Sequence, residues 1–153
     1  MTTRIIKETD YQGLVKLYKS FFGTHNIFQQ DESKVIIYLK EQARDNEFIV
    51  YEEKNVLKGA LIIVKTGQNS DATHKIWKYR HFAFESEKIA ALLLKEAEKY
   101  ISKQSKTAKV ELTIAENEKG IDFYKENGYK QEAALSNHYR WGETCYILSK
   151  SFN

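Results

Sequence analysis

The chain has 153 residues, and its 24 basic and 21 acidic side chains leave a formal net charge of +3. That length fits one domain over residues 1–153 with a sizeable core, and the charges are so interleaved that no basic arm or stripe marks nucleic acid as a partner. A single cysteine, Cys145, excludes an internal disulfide and any CxxC metal pattern, and no apolar run approaches the roughly 20 residues of a bilayer span.

The opening residues, MTTRIIKETD, lack the apolar stretch of a secretion signal, so a soluble cytoplasmic protein without a membrane partner is the expectation. Residues 3–7 predict a short strand. Asp10 then caps a helix whose apolar face is Tyr11, Leu14, Val15, Tyr18, Phe21 and Phe22, with Gly23 as its stop. A second helix is predicted over residues 32–44, with Val35, Ile36, Leu39 and Ala43 inward. The strand at 47–52 turns tightly at Lys54-Asn55 into another at 56–65. Residues 67–73, GQNSDAT, read as a loop, and a strand over 75–84 leads into FESEKIAALLLKEAEKY.

In that segment Ile89, Leu92, Leu93, Ala97 and Tyr100 recur with the 3.6-residue period of one helix face. Beyond it, residues 108–114 (AKVELTI) alternate as a strand, and residues 118–127 predict a helix ending at Gly128. Residues 129–135 and 143–150 predict two closing strands. The order β-α-α-β-β-β-α-β-α-β-β describes a mixed α/β domain, and the crossover from 75 to 114 requires a parallel strand pair. Histidines 25, 74, 81 and 138 have no metal-ligand spacing.

Four stretches in this order resemble the GCN5-related N-acetyltransferase (GNAT) family. FIVYEEKNVLKGALIIV (48–64) looks like its hairpin with a glycine and a following apolar strand. IAALLLKEAEKYI (89–101) looks like the helix after the cofactor's pyrophosphate loop. Residues 117–129 follow the spacing Asn-x-x-Ala-x-x-Phe-Tyr-x-x-x-Gly-Phe, with Gly120 for Ala and Tyr129 for the final Phe. Residues 137–146, NHYRWGETCY, resemble the closing hairpin of members that acetylate protein N-termini. The resemblance implies a mixed, mostly antiparallel central sheet flanked by about four helices. It also implies N-acetyl transfer from acetyl-CoA, by direct attack of a small-molecule or peptide amine, and homodimers through strand-end pairing are common in the family.

On that resemblance, Tyr124 matches the acid that protonates the leaving thiolate; a phenol's pKa near 10 suits the task. Backbone N–H groups at the strand end, residues 81–84, would hold the tetrahedral oxyanion. Phe82, Ala83, Phe84, Lys88, Ile89 and Ala90 would line the cofactor, while Asn117 either contacts the pantetheine arm or caps its helix. The base is Glu111, in its strand, or His81, at the strand end. His138 and Tyr139 on the last hairpin would touch the acceptor, whose identity depends on such loops, residues 23–30 included.

One stretch departs from the family. Its pyrophosphate loop reads Arg/Gln-x-x-Gly-x-Gly/Ala, whereas Glu85-Ser86-Glu87-Lys88 stand over the first four positions and Ala90 over the last. Carboxylates in a first turn stabilise a helix by about 0.3–1 kcal/mol each, and Ser86 is a good N-cap. A diphosphate would there meet like charge, offset in part by Lys88 as a point charge. The alternative to an enzyme is therefore a catalytically silent module that keeps the fold and has lost standard CoA binding.

Overall fold

The computed structural model describes every residue except Met1, His25 and Lys119, with Asn26 described by its backbone alone. The elements are β1 (Thr2–Ile5), a 3-10 turn (Glu8–Asp10), α1 (Tyr11–Phe21), a second 3-10 turn (Asn26–Gln29), α2 (Glu32–Asp45), β2 (Glu47–Glu53) and β3 (Val56–Gln68). There follow β4 (His74–Phe84), α3 (Glu87–Ser102), β5 (Thr107–Ala115), α4 (Gly120–Glu126), β6 (Lys130–Ser136) and β7 (Thr144–Phe152). The seven strands form one sheet in the order β1-β2-β3-β4-β5-β7-β6, antiparallel at its registered pairs except that β4 and β5 run parallel. The fold is thus mixed α/β, as its pattern of elements predicts. No described helix is long and apolar enough to cross a membrane.

The chain divides into two compact units, Met1–Val64 with Tyr79–Lys99, and Lys65–Lys78 with Tyr100–Asn153. In the first, the Lys54-Asn55 hairpin is set by local chemistry. Both residues lie at positive φ, 53° and 62°, which a two-residue primed turn requires and which asparagine tolerates. Two residues beyond that turn, Tyr51 pairs with Gly59 while Glu52 pairs with Leu57, so Lys58 is the extra residue of a β-bulge. On one sheet face Leu14, Val15 and Tyr18 of α1 and Val35 and Leu39 of α2 pack with Phe28, Phe48, Val50, Ala60, Ile62 and Ala83. On the other face α3 comes so close to β3 that a Cβ on Gly59 would lie 2.7 Å from both Ile89 Cγ2 and Leu93 Cδ1.

Two local expectations change here. Asp10 does not cap α1 with its side chain. Its carboxylate turns back to take both guanidinium nitrogens of Arg4, at 2.7 and 2.9 Å, and the Lys7 N–H at 2.8 Å. The buried face of α3 is also rotated: Leu92 is exposed, and Ala90, Leu94 and Ile101 are buried beside Ile89, Leu93 and Ala97.

In the second unit, β5 pairs with β7 along its whole length and β7 with β6. The first four residues of β4 pair with β5, from His74 with Thr107 to Trp77 with Val110. Ala108, Val110, Leu112 and Ile114 alternate inward on β5, and Phe123, Tyr129, Cys145 and Leu148 are buried with them in this unit. Helix α4 is shorter than the predicted 118–127. Gly128, at φ 91°, ends it.

Candidate active site

The first unit holds the β4–α3 junction. Its helix mouth is closed as the sequence predicts: Ser86 Oγ accepts the Ile89 N–H at 3.3 Å and Ser86 carbonyl the Ala90 N–H at 3.0 Å. Glu85 leans away toward β3. Its N–H donates to the carbonyl of the bulged Lys58 at 2.9 Å, and its carboxylate stands 3.6 Å from Lys58 Nζ, which also holds Glu53 at 2.8 Å. Lys58 thereby offsets the carboxylate that opposes an anion at this mouth, and the hydrogen bond from Lys58 draws Glu53 below the usual carboxylate range. The amides of Glu87 and Lys88 come before the first N–H groups that the helix mouth engages, those of Ile89 and Ala90, so they, with the exposed Lys88 side chain, are the groups that would hold a diphosphate.

The remaining cofactor candidates divide by burial. Ala83, Ile89 and Ala90 point into the core, so only their backbones can serve a ligand. Phe82 and Phe84 are half-buried, with ring centroids 5.2 Å apart, and Phe21 of α1 adds a third ring 5.0 Å from Phe84. Beside them runs an open groove of about 1070 Å³ between α1 and the start of β3, bounded by Lys16, Leu17, Val56, Leu57, Phe84 and Glu85.

His81 is the most constrained candidate. It takes φ 49°, left-handed and rare for a residue with a Cβ, within an otherwise extended strand. Tyr18, fully buried in α1, donates from its hydroxyl to the His81 carbonyl at 2.8 Å. The imidazole Nε2 lies 2.6 Å from the hydroxyl of Tyr38 on α2. Phe28, Tyr38, Tyr18 and Phe22 surround the ring edge-on, with centroids at 4.9, 5.6, 6.1 and 6.2 Å. Burial raises the Tyr38 phenol, with the nearby Arg80 acting in the opposite sense; Arg80 itself donates to Gln42 Oε1 at 2.6 Å.

In the second unit Tyr124 stands on α4 between Phe123 and Tyr129, with ring centroids 5.4 and 5.3 Å away. Its carbonyl accepts the Tyr129 N–H at 3.0 Å, which fastens the helix end. Desolvation, and then the nearby Glu118 carboxylate, push its phenol well above the ordinary tyrosine range, so it keeps its proton at any physiological pH. Gly120 packs close to the second unit's core: an added Cβ would come 3.3 Å from Ile114 and lie in ordinary contact, 3.9 Å, with Tyr124. Asn117 is exposed in the turn before α4 and sits three residues ahead of its first residue, so it does not occupy the N-cap position.

Glu111 is engaged elsewhere. It lies 3.1 Å from Lys109 Nζ, which also holds Glu132 at 2.7 Å, in a surface cluster joining β5 to β6. His138 and Tyr139 are exposed on the β6–β7 loop with rings 4.6 Å apart, next to Trp141, which is 91% exposed. Gly142 at φ 84° and the bond from its N–H to Asn137 Oδ1 at 2.7 Å shape that loop. Among the described residues no group of His, Cys, Asp and Glu is placed to hold a metal ion.

No family model matches the sequence, and no curated protein does either. Solved structures do. The chain aligns over 99% of its length with an aminoglycoside 6'-N-acetyltransferase from Enterococcus faecium (TM-score 0.76, 14% identity, 97% of that chain covered). It aligns equally far with a ribosomal-protein-alanine N-acetyltransferase from Brucella melitensis (TM-score 0.72, 14% identity, 100% covered). A third likeness is to an aminoglycoside 6'-N-acetyltransferase complexed with coenzyme A (TM-score 0.75, 15% identity, 99% of this chain and 97% of that one). The fold is that of the GNAT acetyltransferases.

A GNAT fold shared by enzymes named for an aminoglycoside and for a protein alanine carries no acceptor identity of its own. What the sequence reading missed is Tyr38. Its place on α2, one turn before Gln42, brings it to His81 and brings Gln42 to Arg80. The only signal in the sequence was an aromatic three residues after Val35, which reads equally well as core.

Proposed function

We propose that the protein is an acyl-CoA-dependent N-acetyltransferase that moves acetyl from acetyl-CoA to an amine of a small molecule or peptide by direct attack. The observation that carries this reading is the β4–α3 junction, where a left-handed, hydrogen-bonded His81 lies three residues before the end of β4, ahead of a helix mouth of the GNAT fold. The chain's own residues supply the needed functions. Lys88 and the first-turn amides of α3 hold the diphosphate, and backbone N–H groups of residues 82–84 face the oxyanion. A phenol that stays protonated, Tyr124, serves the departing thiolate. Acetyl-CoA supplies the activated acyl group.

A second reading, a binding module without transferase activity, draws on one specific observation. Ser86 already caps α3, and Glu85 and Glu87 bring two carboxylates to the mouth. Thermal melting and calorimetry with millimolar acetyl-CoA separate the two. A ligand at 100 times its Kd stabilises by about 2.7 kcal/mol, about 5–11 °C for a chain of this size. No shift and no heat of binding would remove the enzyme reading. If acetyl-CoA binds, Tyr124→Phe is expected to lower turnover while leaving its affinity nearly intact.

A further inference from the structure

Packing alone does not account for His81. A left-handed backbone at a residue with a Cβ is strained and persists only where its surroundings hold it. Here α1 holds it through the Tyr18 hydroxyl on the carbonyl, and α2 through the Tyr38 hydroxyl on Nε2. An imidazole is also a poor filler for an aromatic pocket, which a phenyl ring would occupy without any polar atom to satisfy. The 2.6 Å separation is shorter than the usual N···O hydrogen bond. The charged and titratable groups identified around the ring are Tyr18 from α1, Tyr38 from α2 and Arg80 from β4.

We propose that Tyr38 and His81 form the proton relay of this site, with the Tyr38 hydroxyl oxygen taking a proton from the acceptor amine as its own proton passes to His81 Nε2. The proposal rests on the acetyltransferase reading and names the base within it. Tyr38 is half-buried, with its phenol held neutral, so its hydroxyl can donate on one side and accept on the other. The balance is simple. The amine lone pair forms the new N–C bond and the C–S bond breaks with its electron pair leaving on sulfur. The proton shed by nitrogen goes to Tyr38 oxygen, the Tyr38 proton goes to Nε2, and the imidazolium later returns a proton to solvent. Tyr38 ends the step neutral, as it began.

The arrangement requires neutral His81 to carry its proton on Nδ1, the minor tautomer of free histidine, because Nε2 must accept. Nitrogen-15 imidazole spectra of the full chain test this without an acceptor: Nε2 unprotonated in the neutral state, and a signal that moves in Tyr38→Phe. The kinetic arm uses acetyl-CoA with two probes, a short peptide with a free N-terminal alanine and the aminoglycoside kanamycin. Tyr38→Phe is expected to lower kcat/KM about 100-fold on whichever probe is used. It should also shift the acidic limb of the pH profile and leave calorimetric acetyl-CoA affinity unchanged. A neutral His81 protonated at Nε2, or Tyr38→Phe turning over with the wild-type rate and pH profile, would overturn the relay alone. Failure of the wild type to bind acetyl-CoA would overturn the transferase reading and the relay with it.

Discussion

Gly59→Ala tests the placement of α3 on the sheet. The added methyl would lie 2.7 Å from Ile89 Cγ2 and 2.7 Å from Leu93 Cδ1, about 1 Å inside the 3.5–4.0 Å at which carbon atoms rest. Leu93 Cδ1 ends a flexible side chain and can yield. Ile89 Cγ2 is fixed at a branched Cβ in the first turn of α3, so relief there requires the helix itself to shift. Overpacking of this kind costs about 1–3 kcal/mol, less about 0.4–1 kcal/mol gained from the stiffer unfolded chain. A net loss of about 1–2 kcal/mol lowers Tm by about 2–8 °C at this chain length. Gly67→Ala is the matched control, since its Cβ would meet nothing within 4 Å, and it is expected to melt at or slightly above wild type. Circular dichroism melts of the three proteins decide it. If Gly59→Ala melts with Gly67→Ala, the close approach of α3 to β3 is wrong.

Two further outcomes follow from particular contacts. Burial works to raise the Asp10 carboxyl, but its bonds to Arg4 and Lys7 prevail and leave it below the ordinary range, so its stabilisation is present above the unfolded pKa near 3.9 and lost as pH falls. Asp10→Asn should cost about 3 kcal/mol at pH 7, the low end for a broken buried pair because Arg4 keeps some access to water. The gap to wild type should then narrow below about pH 4, and a gap constant down to pH 2 would contradict the pairing. Ser86→Ala should cost about 1 kcal/mol and Ser86→Asp almost nothing, because aspartate restores the cap to the Ile89 N–H. Equal melting losses for the two variants would show that the cap is not what Ser86 contributes.

How far the sequence reaches depends on whether the deciding interaction is local. The Lys54-Asn55 turn was legible because positive φ at two successive residues is a property of those residues. So was the Ser86 cap, whose partner lies three residues on. The face of α3 was not. Its apolar residues cover so wide an arc that the 3.6-residue period admits either Leu92 or Leu94 inward. Packing on the sheet, where Gly59 lets Ile89 and Leu93 approach β3 closely, leaves Leu94 buried and Leu92 exposed. Asp10 failed for the same reason. As a cap it would serve its own helix, but Arg4 on β1 offers a bidentate charged partner that, with the Lys7 N–H, engages both carboxylate oxygens. The site follows this rule. Tyr124 and the strand end carry a spacing that can be read along the chain, whereas the Tyr38–His81 pair joins residues 43 positions apart and exists only after α2 has packed. A pair that is made by tertiary contact has no motif, and that is why the pattern of this chain discloses its fold sooner than such contacts.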